Sequence, residues 1–97
     1  MNQEQQKIQV TMLPKVQRGF YSNMARILNT QEEFVFDFLN IVPPQGIVGA
    51  RVFMSPGHAK RMVDVLQANI SKYEEQYGKI DVAKEPASGD IGFADKQ

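Results

Sequence analysis

Apolar positions in the first half of the chain recur every second residue. Ile8, Val10 and Met12 alternate with Gln9 and Thr11 up to Pro14, the period of a strand with one covered face. From Gly19 onward, Tyr21, Asn23, Ala25 and Ile27 share one pleat face while Phe20, Ser22, Met24, Arg26 and Leu28 take the other, which predicts a second strand. A polar break at Asn29, Thr30, Gln31 and Glu32 separates it from Phe34, Phe36 and Phe38, which alternate with Val35, Asp37 and Leu39. The simplest reading is a hairpin into a third strand. Thr30 and Glu33 also have the spacing of a helical capping box, but the dense Phe and Val content favours a strand. Pro43, Pro44 and Gly46 then force a turn, and Val48, Ala50, Val52 and Met54 alternate with Ile47, Gly49, Arg51 and Phe53 as a fourth strand.

The period changes after Met54. Ser55 is placed to cap an orphan amide and Pro56 suits the first helical position. Ala59, Met62, Val63, Leu66, Ile70, Tyr73 and Tyr77 fall at offsets 0, 3, 4, 7, 11, 14 and 18, one stripe of a 3.6-residue helix. Gly78 ends it. Such a helix has about 22 residues and spans roughly 33 Å. The expected fold class is α+β, an antiparallel four-stranded meander followed by one long C-terminal amphipathic helix. Residues 1–80 form a single domain. Residues 81–97, with Pro86, Ser88, Gly89 and Gly92 and no period, read as a flexible tail.

Composition narrows the function classes. A chain of 97 residues has apolar surface for one core. It has no cysteine and one histidine, which removes thiolate chemistry and disulfides and argues against a metal centre; no cofactor is expected. Eleven basic residues balance eleven acidic ones, so the whole molecule has no long-range attraction to polyanions. Met1 to Lys7 is polar with no apolar run after it, and Phe34 to Pro44 is interrupted by Asp37 and Asn40 and is too short to cross a bilayer. A cytoplasmic protein with no membrane association is the expectation.

Geometry supplies one functional inference. A single helix is about 10 Å wide and covers only part of one face of a four-stranded sheet. The third strand is apolar on both sides, with Phe34, Phe36, Phe38 and Val42 facing one way and Val35, Leu39 and Ile41 the other. Each such side chain gains about 1.5–3 kcal/mol on burial, so the second face needs a cover. A second copy of the chain is the favoured one, giving a homo-oligomer, most simply a dimer, built through the sheet face with Val35, Leu39 and Ile41, through the helix, or through both. The alternative cover is the N-terminal segment or the tail with Ile91 and Phe93.

The residues also resemble a known family. The blocks that carry the likeness are Gly19, Tyr21, Ser22 and Asn23; Glu33, Phe34, Val35, Asp37 and Phe38; Arg51, Ser55, Pro56, His58, Ala59, Lys60 and Arg61; and Asn69, Ile70, Lys72, Tyr73, Glu74 and Gly78. Together they cover nearly all of the stretch from Lys7 to Ile80, and the chain is similar to the bacterial family catalogued as domain of unknown function 3467. The resemblance implies a small α+β protein and no known reaction. Two departures bear on sites: Asn29 stands where such sequences often carry His, and Gln45, Gly46 and Ile47 stand where they often carry lysines, so a paired histidine or a basic loop is not expected here.

Three constellations carry candidate chemistry. Ser55, His58, Lys60 and Arg61 surround a helix N-terminus, a place that favours a phosphate or carboxylate; the plainer reading is a cap followed by a solvated basic surface. Asp37 lies among aromatic and aliphatic neighbours, so an inward carboxylate there needs a partner, with Arg26 or Arg51 on flanking strands in reach as a structural ion pair. Catalysis by Asp37 with Glu32 or Glu33, or by a serine with His58, lacks any spacing that assembles acid, base and nucleophile. Tyr21, Tyr73 and Tyr77 with the basic N-terminal third, where Lys7, Lys15, Arg18 and Arg26 stand against Glu4, suggest nucleic-acid binding, although Tyr73 and Tyr77 continue the helix stripe. The expected function is a non-catalytic, oligomeric interaction module that meets a protein partner by an apolar sheet face or by the helix. Nucleic-acid or phosphate-ligand binding through the helix start and the N-terminal strands is the alternative. In element order alone the chain is similar to the export chaperone SecB.

Overall fold

The structure, a computed structural model, describes residues 6–87 and 91–93. Its elements are a short helical turn α1 (Pro14–Gln17), strands β1 (Met24–Asn29), β2 (Phe34–Val42) and β3 (Gln45–Met54), and helix α2 (Pro56–Tyr77). The fold is α+β with a three-stranded antiparallel sheet in the order β1-β2-β3. Four strands were expected, and the first is absent. Residues 6–13 have no regular structure, and Ile8 and Val10 are 81% and 87% exposed. Alternation makes a segment able to lie on a sheet, but a strand also needs a neighbour for its amides. Here Pro14 opens α1, and Gly19, at φ 75 where an L side chain is disfavoured, turns the chain again before the sheet begins.

The second expected strand also starts later, at Met24. Ser22 and Asn23 spend their side chains on the end of β2 instead of extending the pleat. The Ser22 hydroxyl lies 2.9 Å from the Met24 carbonyl and 3.1 Å from that of Leu39. The Asn23 amide donates to the Ile41 carbonyl and accepts from the Ile41 amide, both at 2.9 Å. A side-chain amide thus stands in for a backbone one and anchors the start of β1.

The two hairpins follow their turn residues. Between β1 and β2, Thr30 Oγ1 accepts from the amides of Glu32 and Glu33, and the Thr30 amide donates to the Glu33 carbonyl; the Thr30 and Glu33 pair closes a hairpin and caps no helix. Between β2 and β3 the chain reverses at Pro43 and Pro44, joined by a cis peptide bond. The register pairs Arg26 with Asp37 and Asp37 with Arg51, and Ile27 with Phe36 and Phe36 with Val52. It slips between Phe38 and Leu39, which face Ala50 and Val48, so Gly49 is an extra residue in β3. The Phe20 ring lies against Gly49 so closely that a Cβ there would overlap it. Phe34, Phe36 and Phe38 form a row with ring centroids 6.5 and 6.4 Å apart.

Helix α2 matches its expected bounds. Ser55 Oγ accepts from the His58 amide, Pro56 is the first helical residue, and Gly78 takes φ 97 as its amide donates to the Glu74 carbonyl. The long helix packs little against the rest. Among the described residues Ala59 is its buried member, while Val63, Leu66, Ile70, Tyr73 and Tyr77 are exposed. The radius of gyration is 17.6 Å, against about 12.5 Å for a compact chain of this length. The expected flexible tail lies partly outside the described residues, at 88–90 and 94–97. Of its described part, residues 81–85 are exposed and Pro86, Ala87, Ile91 and Phe93 are half-buried.

Candidate functional site

The strand register brings one charged cluster to the middle of the sheet. β2 presents Asp37 between Arg26 of β1 and Arg51 of β3, and cross-strand neighbours on one face are close enough for side chains to meet. Arg51 grips the carboxylate with a fork, Nε to Oδ1 at 2.6 Å and Nη2 to Oδ2 at 2.8 Å. Arg26 reaches Oδ2 with Nη2 at 2.8 Å and Nε at 3.2 Å. Asp37 is 0% exposed. Hydrogen bonds from Arg51 and then Arg26 hold its carboxyl far below the usual carboxylate range, against the opposing effect of burial. A carboxylate so held is a weak base with its oxygens occupied, the opposite of what general acid–base chemistry requires. The Phe93 ring covers Arg26, with the guanidinium carbon 3.9 Å from the ring centroid.

On the same face, part of the second side of β2 is covered within the single chain. Leu39 and Ile41 are 4% and 7% exposed within the single chain, so the structure leaves little of either for a second copy, and Val35 is half-buried. Asn23 ties down Ile41 and the tail's Phe93 lies over the ion cluster. Uncovered apolar surface lies elsewhere, including on α2, in residues 8–16, at Ile27 and Leu28 of β1 and at Ile47, Val52 and Phe53 of β3. Periodicity identified the apolar face of β2 but carried no sign of the Asn23 bonds to the Ile41 backbone or of Phe93 over Arg26.

At the start of α2 the four candidate residues are adjacent and exposed. Their contacts are with one another. His58 donates its amide to Ser55 Oγ at 3.2 Å, and Arg61 Nη2 lies 2.9 Å from His58 Nδ1; a guanidinium only donates, so the ring nitrogen accepts. Pro56 has no amide and His58's is taken, which leaves Gly57 as the amide donor of the first turn. An anion would meet one amide and two mobile cations, a thin site. Among the described residues no three His, Asp or Glu side chains cluster to hold a metal ion. At the β2–β3 hairpin a shallow concavity of about 370 Å³ is lined by Asn40, Val42, Gln45, Gly46 and Ile47, none of them ionisable.

Of the blocks that carry the family likeness, Ser22, Asn23, Asp37, Arg51, Ser55 and Gly78 each have a structural task. The family described as "Protein of unknown function (DUF3467)" matches residues 1–82. The chain belongs to this family. No curated protein and no solved structure matches the chain. Among the residues that carry the likeness, the structure joins Asp37 with Arg51 in the sheet, and Ser55 with His58, His58 with Arg61 and Glu74 with Gly78 along the helix. Those of the helix, Asn69, Ile70, Tyr73 and Glu74, lie along α2 far from the ion cluster in sequence, and Ile70 and Tyr73 are exposed. No helix among the described residues is long and apolar enough to cross a membrane.

Proposed function

We propose that this chain is a non-catalytic interaction module that works as a homo-oligomer, with the apolar stripe of α2 as its principal contact surface. The observation that carries the reading is a 22-residue helix whose apolar stripe its own chain leaves uncovered from Val63 to Tyr77. Stripe residues so arranged serve in a packed interface and cost solubility without one. The accessible surface of 9421 Å² exceeds by about 3800 Å² the roughly 5600 Å² of a compact monomer of this mass. Residues 6–13 and α2 are exposed along most of their length. A standard interface takes about 800 Å² from each partner, so the surplus suffices for self-association and for a further protein partner.

The reading places the protein in the cytoplasm, without cofactor or metal. The zero net charge, the thin anion site and the occupied Asp37 support binding over catalysis and over phosphate recognition. Multi-angle light scattering at micromolar concentration is expected to give twice the chain mass or a higher multiple, and Leu66→Asp with Ile70→Asp to give the monomer while the sheet remains folded by circular dichroism. A wild-type monomer overturns the proposal. Salt separates it from the alternative: apolar association changes little between 50 and 500 mM salt, whereas phosphate-driven binding falls steeply.

A further inference from the structure

The charges of α2 are placed against its own dipole. Its first turn has no acidic residue and is followed at once by Lys60 and Arg61, and its last turn has no basic residue and contains Glu74 and Glu75. Each end thus carries the sign that the peptide dipoles disfavour. Nothing within the helix corrects this, and the stripe between the ends is uncovered. A neighbouring helix running the opposite way corrects both ends together.

We infer that two copies of this chain pair through α2 in antiparallel fashion, with the two-fold axis crossing the helix at Gln67. The inference rests on the self-association proposed above and names its geometry. Lys60 and Glu74 each lie seven residues from Gln67. At about 100° per residue they stand on the same flank of the Leu66 direction, at roughly 120° and 80°. In an antiparallel two-fold pair, residues on the same flank meet, so Lys60 of each copy faces Glu74 of the other. Glu74 keeps an oxygen for this, since its Oε2 alone accepts from the Ile80 amide. The same axis interleaves the stripe. The second copy's Leu66, Ile70 and Tyr73 fall level with residues 68, 64 and 61, between the first copy's own stripe positions, as knobs require.

The chain contains no cysteine, so single introduced cysteines report the geometry directly. Under mild oxidation, Leu66→Cys is expected to form a disulfide-linked dimer, because Leu66 faces the partner and its two copies are about 3 Å apart along the axis. Tyr73→Cys alone is expected not to, because its two copies are about 18 Å apart along the axis. A mixture of Tyr73→Cys and Met62→Cys chains, whose residues fall nearly level on the facing side, gives the mixed dimer. Lys60→Glu is expected to raise the dimer Kd by roughly tenfold, for two symmetry-related surface pairs, and Lys60→Glu with Glu74→Lys to restore it. Efficient self-linking of Tyr73→Cys, as in a parallel pair, overturns the inference, and so does a failure of Leu66→Cys to link in a protein that light scattering shows to be dimeric. A wild-type monomer fails the proposed function itself, so the two failures are distinguishable.

Discussion

Asp37 shows how much one buried charge can organise. Two guanidinium groups hold it, and its removal leaves both without their shared acceptor. Asp37→Asn is expected to cost about 3–5 kcal/mol, the usual cost of breaking a buried ion cluster from one side, measured by urea denaturation. The pH dependence has a definite sign. The folded carboxyl titrates far below its usual value, so the unfolded chain takes up the proton first. The stabilisation is complete above the ordinary aspartate pKa of about 3.9 and is lost as pH falls below it. Thermal scans are expected to be flat from pH 7 to 5 with respect to this group and to fall below about pH 4, with Asp37→Asn flattening the acid limb. Asn23 is the second organising residue. Asn23→Ala removes two hydrogen bonds and leaves the amide and carbonyl of nearly buried Ile41 unpaired, an expected loss of about 1–3 kcal/mol by the same denaturation measurement. Cross-strand alternation made the partners of Asp37 legible in the sequence. No periodicity reveals an asparagine that substitutes for backbone, because the signal lies in hydrogen-bond geometry and not in polarity.

Among the elements, α2 was the most legible, since Ser55, Pro56 and Gly78 mark its ends by backbone chemistry that little else overrides. Ser55→Ala is expected to lower stability by about 1 kcal/mol and to reduce helicity by circular dichroism at the first turn. The segment from Ile8 to Met12 was misleading because alternation describes side chains and leaves the partner of the backbone unspecified. Ile8→Gln and Val10→Gln are accordingly expected to change stability by less than about 0.5 kcal/mol, which a chemical melt resolves from the several-kcal/mol loss that disrupting a core strand entails. Gly49 is likewise invisible to pattern: it continues the alternation of β3 although the ladder slips there. Its meaning comes from Phe20, whose ring occupies the space of the missing side chain. In a double-mutant cycle Gly49→Ala and Phe20→Ala are expected to be non-additive, since the first already displaces the ring that the second deletes.

For the molecule as a whole, the sequence shows that apolar surface outruns what one small domain can cover, but patterning marks faces and is silent on what lies against them. The face of Leu39 and Ile41 is covered by its own chain, and the helix is left uncovered. If copies associate through that helix, stability depends on protomer concentration by mass action. The melting temperature of the wild type is expected to rise between 1 and 100 µM chain, and that of Leu66→Asp with Ile70→Asp to be lower and independent of concentration.

A single residue, Ser55, separates the last strand from the long helix, and this joint has a consequence for how an assembly meets other molecules. With so short a connection each sheet is carried at the N-terminal end of its own helix. If two copies pair through antiparallel helices as proposed, their sheets stand at opposite ends of a rod roughly 33 Å long. Whatever touches one sheet surface would then find an identical surface at a fixed span, and a ligand with two matching sites that bridge it would bind with avidity well beyond either contact alone. A spacing set by helix length in place of a flexible tether would make such an assembly a ruler for its partner.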